Sequence, residues 1–220
     1  MRSVIIGVAA VICIALMSWG IYLGVSQNGT TRTLQLDPSY TQRVAQGYWA
    51  KGTLGAPVIL TEYSDFQCQA CYEEYSIIEG ALRQSSIPFE FRFRQYPLPQ
   101  DDKSILAAEA AEAAGRQGKF WNMYEILYAN QPTWGSETPD QFRNSIGMFI
   151  SSLGLNSSQF YIDLNDSTIS DPINADITAS NNAHADATPA IFINGTALNP
   201  LPNTVAELLT AISKTSSAPH

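Results

Sequence analysis

The sequence predicts an α/β domain: a four-stranded sheet with both faces covered, a largely helical insertion at about 100–186, and a transmembrane helix ahead of it all. Three observations predict this. Val58 to Tyr63 and Phe89 to Arg94 are strand-like runs separated by a helical pattern, which makes a β-α-β unit. From about Gln100 to Asp186 the apolar spacing is helical. Ala190 to Leu198 then reads as a hairpin followed by a last helix, and strand, helix, strand, helical block, hairpin, helix fits a layered α/β architecture.

Composition sets the outer limits. With 45% hydrophobic and 15% charged residues the chain buries a real core, which excludes a wholly disordered protein. The net charge of −8, with no run among the basic residues, argues against nucleic acid as a partner. Three cysteines are too few for a disulfide-rich scaffold.

Val4 to Val25 is uncharged and almost wholly apolar, and as a helix spans about 33 Å, enough to cross a hydrocarbon core of roughly 30 Å. Arg2 and the amino terminus are the positive charges ahead of it and Arg32 the next one after it, a bias that keeps the N-terminus cytoplasmic and puts the rest outside. A cleaved signal peptide competes, because Gly24 and Ser26 are small; the run is longer than a signal's usual apolar region, which favours an uncleaved anchor. Cys13 follows the bulky Ile12, not the small residue a lipoprotein site wants, and reads as an apolar residue within the membrane. Both readings place the domain where disulfides persist.

Ser26 to Ala56, rich in Gly, Thr, Gln and Ser, reads as a tether. Val58 to Tyr63 is a buried strand, and the helix from Cys68 presents Tyr72, Tyr75, Ile78 and Leu82 on one face. In Phe89 to Arg94 strict alternation puts the phenylalanines on one side and Glu90, Arg92 and Arg94 on the other. An Ala-rich helix runs from Asp101 to about Ala114, broken by Gly115 and Gly118, and Lys119 to Ala129 resumes the pattern. Further helices are expected at Pro139 to Leu153, Ser157 to Asn165 and Asp171 to Ala185. Ala190 to Ile193 is a strand, Asn194-Gly195 a hairpin turn, Ala197-Leu198 the return, and Asn203 or Thr204 caps a helix from Val205 to Ile212.

Chemistry concentrates at Cys68-Gln69-Ala70-Cys71, at a strand-to-helix junction. Unpaired N–H groups and the helix dipole stabilise a thiolate at Cys68, lowering its pKa below the free value of about 8.5. Cys71, one turn deeper, is placed to close a disulfide with it, so Cys68 is the attacking thiol and Cys71 the resolving one. Two other readings remain open: a structural disulfide, which so small a loop makes a poor stabiliser, and half of a zinc site, for which Cys13, His184 and His220 offer too few further ligands.

The string Tyr63-Ser64-Asp65-Phe66-Gln67-Cys68-Gln69-Ala70-Cys71, the segment Ala107 to Ala114 followed by Gly118-Lys119-Phe120-Trp121, and Ala187-Thr188-Pro189-Ala190-Ile191-Phe192-Ile193-Asn194-Gly195 resemble, in this order, DsbA-like thioredoxin-fold thiol-disulfide oxidoreductases. The resemblance runs from about Gly55 to Ile212 and implies a thioredoxin-like domain over about 57–214, with the helical insertion roofing the active site. It implies that Pro189 is a cis-proline beside the cysteine pair, leaving the backbone of Thr188 free to pair with an extended substrate. It also implies that Glu62 is a buried acid relaying a proton for Cys71; the competing reading of Glu62 is a strand-end acid satisfied by Arg92 or Arg94. The family's strongly oxidising member has a histidine between its cysteines where this chain has Gln69-Ala70, which leaves the direction of electron flow open.

The expectation is a membrane-anchored, outward-facing enzyme that donates disulfides to reduced exported proteins, needs no bound cofactor, and is reoxidised by a quinone-linked membrane protein. A reductase or isomerase of the same fold is the nearest alternative, and a non-catalytic binding module or metal chaperone the alternative of another class. His184 is expected at the surface, and Asn194 is explained by its turn.

Overall fold

The computed structural model describes residues 36–217. The expected membrane helix Val4 to Val25, with Cys13 inside it, the first part of the tether, and His220 lie outside these residues. Among the described residues no helix is long and apolar enough to cross a membrane.

The elements are α1 (Pro38–Gln46), β1 (Trp49–Gly52), β2 (Val58–Ser64), α2 (Gln69–Gln84), β3 (Phe89–Gln95), α3 (Ser104–Arg116), α4 (Phe120–Trp134), α5 (Pro139–Ser152), α6 (Ser157–Leu164), α7 (Asp171–Asn182), β4 (Ala190–Ile193), β5 (Thr196–Ala197) and α8 (Val205–Ser216). The sheet order is β1-β3-β2-β4-β5, five strands where the sequence predicts four. β2 and β3 are parallel and joined through α2, while β1, β4 and β5 each run antiparallel to their neighbour.

Register decides which side chains meet. Glu62 pairs with Phe93 and Leu60 with Phe91, so Val58, Leu60, Glu62 and Ser64 share a face with Phe89, Phe91, Phe93 and Gln95. That face forms the main core with Cys71 and Ile78 of α2, Tyr124 and Tyr128 of α4, and Leu208 and Ile212 of α8. On the opposite face α7 closes over the strand ends: Tyr63 Oη donates to the Ala179 carbonyl at 3.3 Å, and Arg94 Nη1 lies 3.1 Å from Asp176.

The tether prediction is corrected over residues 38–56, which belong to the domain. Asp37 caps α1 by accepting from the Ser39 N–H at 2.8 Å, Pro38 occupies the first turn, and Gly47 ends the helix with φ of 79°. Arg43, 1% exposed, anchors α1 from below: its Nη2 lies 2.6 Å from Asp176 and 3.3 Å from Glu112, and donates to the Pro172 carbonyl at 3.2 Å. Glu112 also accepts from Trp49 Nε1 at 3.0 Å, and the Trp49 ring stacks on Phe120 with centroids 4.1 Å apart. The segment looks like tether because its composition is polar; its attachment is one buried ion network and two aromatic rings, Tyr40 and Trp49, rather than an apolar stripe.

Two boundaries in the helical block also differ from expectation. α3 continues through Gly115, because a Cβ there would lie 2.6 Å from the Trp49 ring: the glycine admits Trp49 instead of ending the helix. The break comes at Gly118, whose φ of +73° and closeness to the Asp37 carboxylate exclude a side chain. α4 continues past Ala129 to Trp134 with Pro132 inside its last turns, because Gln131 and Trp134 are buried and Trp134 stacks on Phe142. Asn194 (φ 49°) and Gly195 (φ 78°) form the tight β4–β5 turn, and Asn194 also accepts from the Ile59 N–H at 2.8 Å, tying the hairpin to β2.

Candidate active site

β2 ends at Ser64, and the chain turns through Asp65-Phe66-Gln67 into α2. The buried Asp65 carboxylate makes this turn by accepting from the N–H groups of Gln67 at 2.8 Å and Leu98 at 2.7 Å. Cys68 is the N-cap residue of α2, and Cys71 follows one turn on, fully buried, while Cys68 is half-buried.

The helical block holds this turn in place. Gln131 Nε2 of α4 donates to the carbonyls of Gln67 at 3.1 Å and Cys68 at 2.9 Å. The Gln67 side chain accepts from the Lys103 N–H at 2.8 Å and donates to Asp102 at 3.1 Å, so the segment entering α3 is fixed to the same turn. Sequence reading passes over Gln131, because ending the helix at Ala129 removes it from the element that carries it.

From the other side comes the loop before β4. The Thr188–Pro189 peptide is cis, Pro189 is buried, and the Thr188 carbonyl lies 3.5 Å from Cys68 Sγ. The Thr188 hydroxyl is buried with no hydrogen-bond partner among the described residues. His184 lies on the surface at the end of α7, with φ of 55°.

The two thiols are driven apart. The Cys71 thiol donating toward Cys68 is the main cause that lowers the Cys68 pKa to about 6, with Thr188 and the Cys71 backbone N–H adding to it against the cost of burial. Burial pushes the Cys71 thiol well above its usual value, and Cys68 reinforces the shift. At neutral pH the pair is therefore one exposed-side thiolate and one buried thiol, the division of labour that thiol exchange uses.

Glu62 lies on the core face of β2, 1% exposed, and burial pushes its pKa up to about 8; Ser64 opposes the rise, Glu74 and Cys68 add to it, and Lys51 opposes it. Neither arginine partners it. Arg92 and Arg94 point to the opposite face, where Arg92 Nε bonds Glu90 at 2.6 Å and Arg94 pairs with Asp176. The alternation of β3 already requires this, since Glu62 pairs with Phe93 and the arginines alternate away from it. Glu74, three residues beyond Cys71 on α2, is a second buried carboxyl held up, at about 7, by burial. Among the described residues no three His, Cys, Asp or Glu side chains are grouped to hold a metal ion.

Comparison with known proteins agrees with this geometry. The family described as thioredoxin matches residues 45–214. The structure of BdbD from Bacillus subtilis superposes with a TM-score of 0.67 at 22% identity, covering 79% of this chain and 95% of that one. The thiol-disulfide exchange protein alpha-DsbA2 from Wolbachia pipientis superposes with a TM-score of 0.64 at 18% identity, covering 80% and 93%. A curated relative, the Na(+)/H(+) antiporter NhaA 1 of Salinispora arenicola (strain CNS-205), is 31% identical over 177 residues, 79% of this chain; the match spans only 24% of that protein. The chain belongs to the thioredoxin family, and its fold is that of the DsbA-like thiol-disulfide oxidoreductases.

Proposed function

We propose that this chain is a protein thiol-disulfide oxidoreductase, held to the membrane by Val4 to Val25 with its domain on the outer side, which introduces disulfides into reduced exported proteins. The observation that carries this reading is the geometry of the pair: half-buried Cys68 caps α2 with its sulfur 3.5 Å from the Thr188 carbonyl, and Cys71 lies buried one turn on, an asymmetry that drives the two thiol pKa values apart.

In the oxidised enzyme a substrate thiolate attacks Cys68 Sγ. The Cys68–Cys71 bond breaks, a mixed disulfide forms at Cys68, and the Cys71 sulfur leaves with the bonding pair and takes a proton from Glu62. A second substrate thiolate then attacks the substrate sulfur, and Cys68 leaves as a stabilised thiolate. The substrate is oxidised by two electrons and the cysteine pair reduced by two. A quinone-linked membrane protein returns it to the disulfide. Thr188 and Pro189 line the place where the substrate chain meets Cys68. The antiporter relatives support the membrane setting, since there a domain of this kind forms part of an ion transporter.

A Cys68 pKa of about 6 lies between those of thioredoxin, about 7, and the strongly oxidising DsbA, about 3.5, in keeping with a neutral Gln69-Ala70 between the cysteines. The test is oxidative refolding of a reduced, disulfide-containing substrate by the oxidised full chain. Wild type accelerates it and Cys68→Ala abolishes the effect. Equal refolding with and without Cys68 leaves a binding module, and reduction of a preformed substrate disulfide at neutral pH leaves a reductase.

A further inference from the structure

Ser64 Oγ lies 2.8 Å from Glu62 Oε1 and 2.8 Å from Tyr128 Oη. A serine hydroxyl has one proton to give. Ionised Glu62 can only accept, so that proton goes to Oε1, and the Tyr128 hydroxyl must donate to Ser64. The order is therefore Tyr128 to Ser64 to Glu62. With Glu62 protonated the same order holds when the proton sits on Oε2 and Oε1 remains the acceptor. That second oxygen is buried and has no hydrogen-bond partner among the described residues, an arrangement that costs free energy and calls for an explanation.

We propose that Tyr128 and Ser64 are positioning residues for proton transfer at Cys71: their hydrogen-bond chain holds Glu62 by Oε1 and leaves Oε2 as the atom that gives up and regains the proton. This rests on the thiol-exchange reading above. When a substrate thiolate displaces the Cys71 sulfur, the Cys68–Cys71 bond breaks, the electron pair stays on Cys71, and the Oε2 proton moves to it. Glu62 is left as a carboxylate stabilised through Ser64, and closure of the disulfide returns the proton.

The surroundings fit the role. Glu62 and Ser64, two apart on β2, necessarily face the same side. The Tyr128 ring is clamped, stacked on Tyr75 with centroids 4.9 Å apart and packed on Phe66 at 5.1 Å, so its hydroxyl has one place to point. Burial holds the Tyr128 phenol well above its usual pKa, so it stays a donor. The groups that act on Glu62 are Cys68, Cys71 and Glu74 at α2, Lys51 of β1, and Tyr124 and Tyr128 of α4; its neighbours on β3 and β4, Phe93 and Ile191, carry no charge. Among the described residues only the hydroxyl chain gives the carboxylate a hydrogen bond.

The test follows the Glu62 carboxyl carbon by nuclear magnetic resonance against pH in the reduced full chain. The wild-type midpoint is about 8. Ser64→Ala removes a hydrogen bond to a charged group and raises it by about one to two pH units. Tyr128→Phe keeps the ring, removes the outer donor, and raises it by a smaller amount through the weakened Ser64 bond. Tyr75→Phe, which removes a neighbouring hydroxyl outside the chain, leaves the midpoint in place. A midpoint that is unmoved or lowered in folded Tyr128→Phe and Ser64→Ala overturns the proposal. Disulfide exchange by wild type and its loss in Cys68→Ala judge the underlying reading separately, so either can fail alone.

Discussion

The carbonyl oxygen of Cys68 accepts a hydrogen bond of 2.9 Å from Gln131 Nε2, a residue 63 positions away in the helical block. The insertion thus fixes the start of α2, and with it the position of the Cys68 sulfur. Gln131 is 3% exposed, so truncation strands buried carbonyls. Gln131→Ala lowers stability by about 1–3 kcal/mol in denaturant unfolding and slows disulfide exchange, whereas exposed Gln141→Ala leaves exchange unchanged.

Alkylation separates the two cysteines. The rate at Cys68 rises with a midpoint near pH 6, and Cys71 stays unreactive to well above pH 9. Because the Cys71 thiol is the largest cause that lowers the Cys68 pKa, Cys71→Ala moves the Cys68 midpoint upward. Mass spectrometry of the alkylated peptides reads both.

Stability of the reduced domain depends on pH in a defined window. The folded-state pKa of Glu62 is raised from 4.5 to about 8, so its contribution is full below about 4.5 and is lost as pH rises toward about 8; Glu74, raised to about 7, acts in the same sense. Cys68, lowered from 9.0 to about 6, acts oppositely, adding stability between about 6 and 9. Between pH 4.5 and 6 the carboxyls act unopposed by Cys68, each contributing up to about 1.4 kcal/mol per pH unit. The denaturation midpoint falls across that window, and Glu62→Gln falls less steeply.

Arg43 tests whether α1 belongs to the domain. Removing its guanidinium leaves Asp176 and Glu112 buried with a partner missing. Arg43→Ala costs about 3–5 kcal/mol in chemical unfolding, an effect a tether residue would not have.

The parts legible in the sequence are those whose signals are local. Cys68 and Cys71 share one helical turn, the strand Phe89 to Gln95 alternates without a break, and Asn194-Gly195 sits between two strand runs. The parts that escape are assembled from a distance. Tyr128 reaches Ser64 across 64 positions, and no local signal in the sequence links the two. α1 carries a usable signal, Asp37 before it, Pro38 at its start and Gly47 after it, but its polar surface hides it, since just Tyr40 and Arg43 of the helix are buried. Gly115 shows the limit of reading glycine as a breaker: in a helix packed against Trp49 the missing Cβ is what the packing requires.

The direction of electron flow follows from the redox potential of the Cys68/Cys71 pair, measured by equilibrating the full chain with glutathione buffers at pH 7 and trapping the free thiols. Donation of disulfides to exported proteins predicts a value well above about −200 mV, and a value near −270 mV, that of thioredoxin, contradicts it.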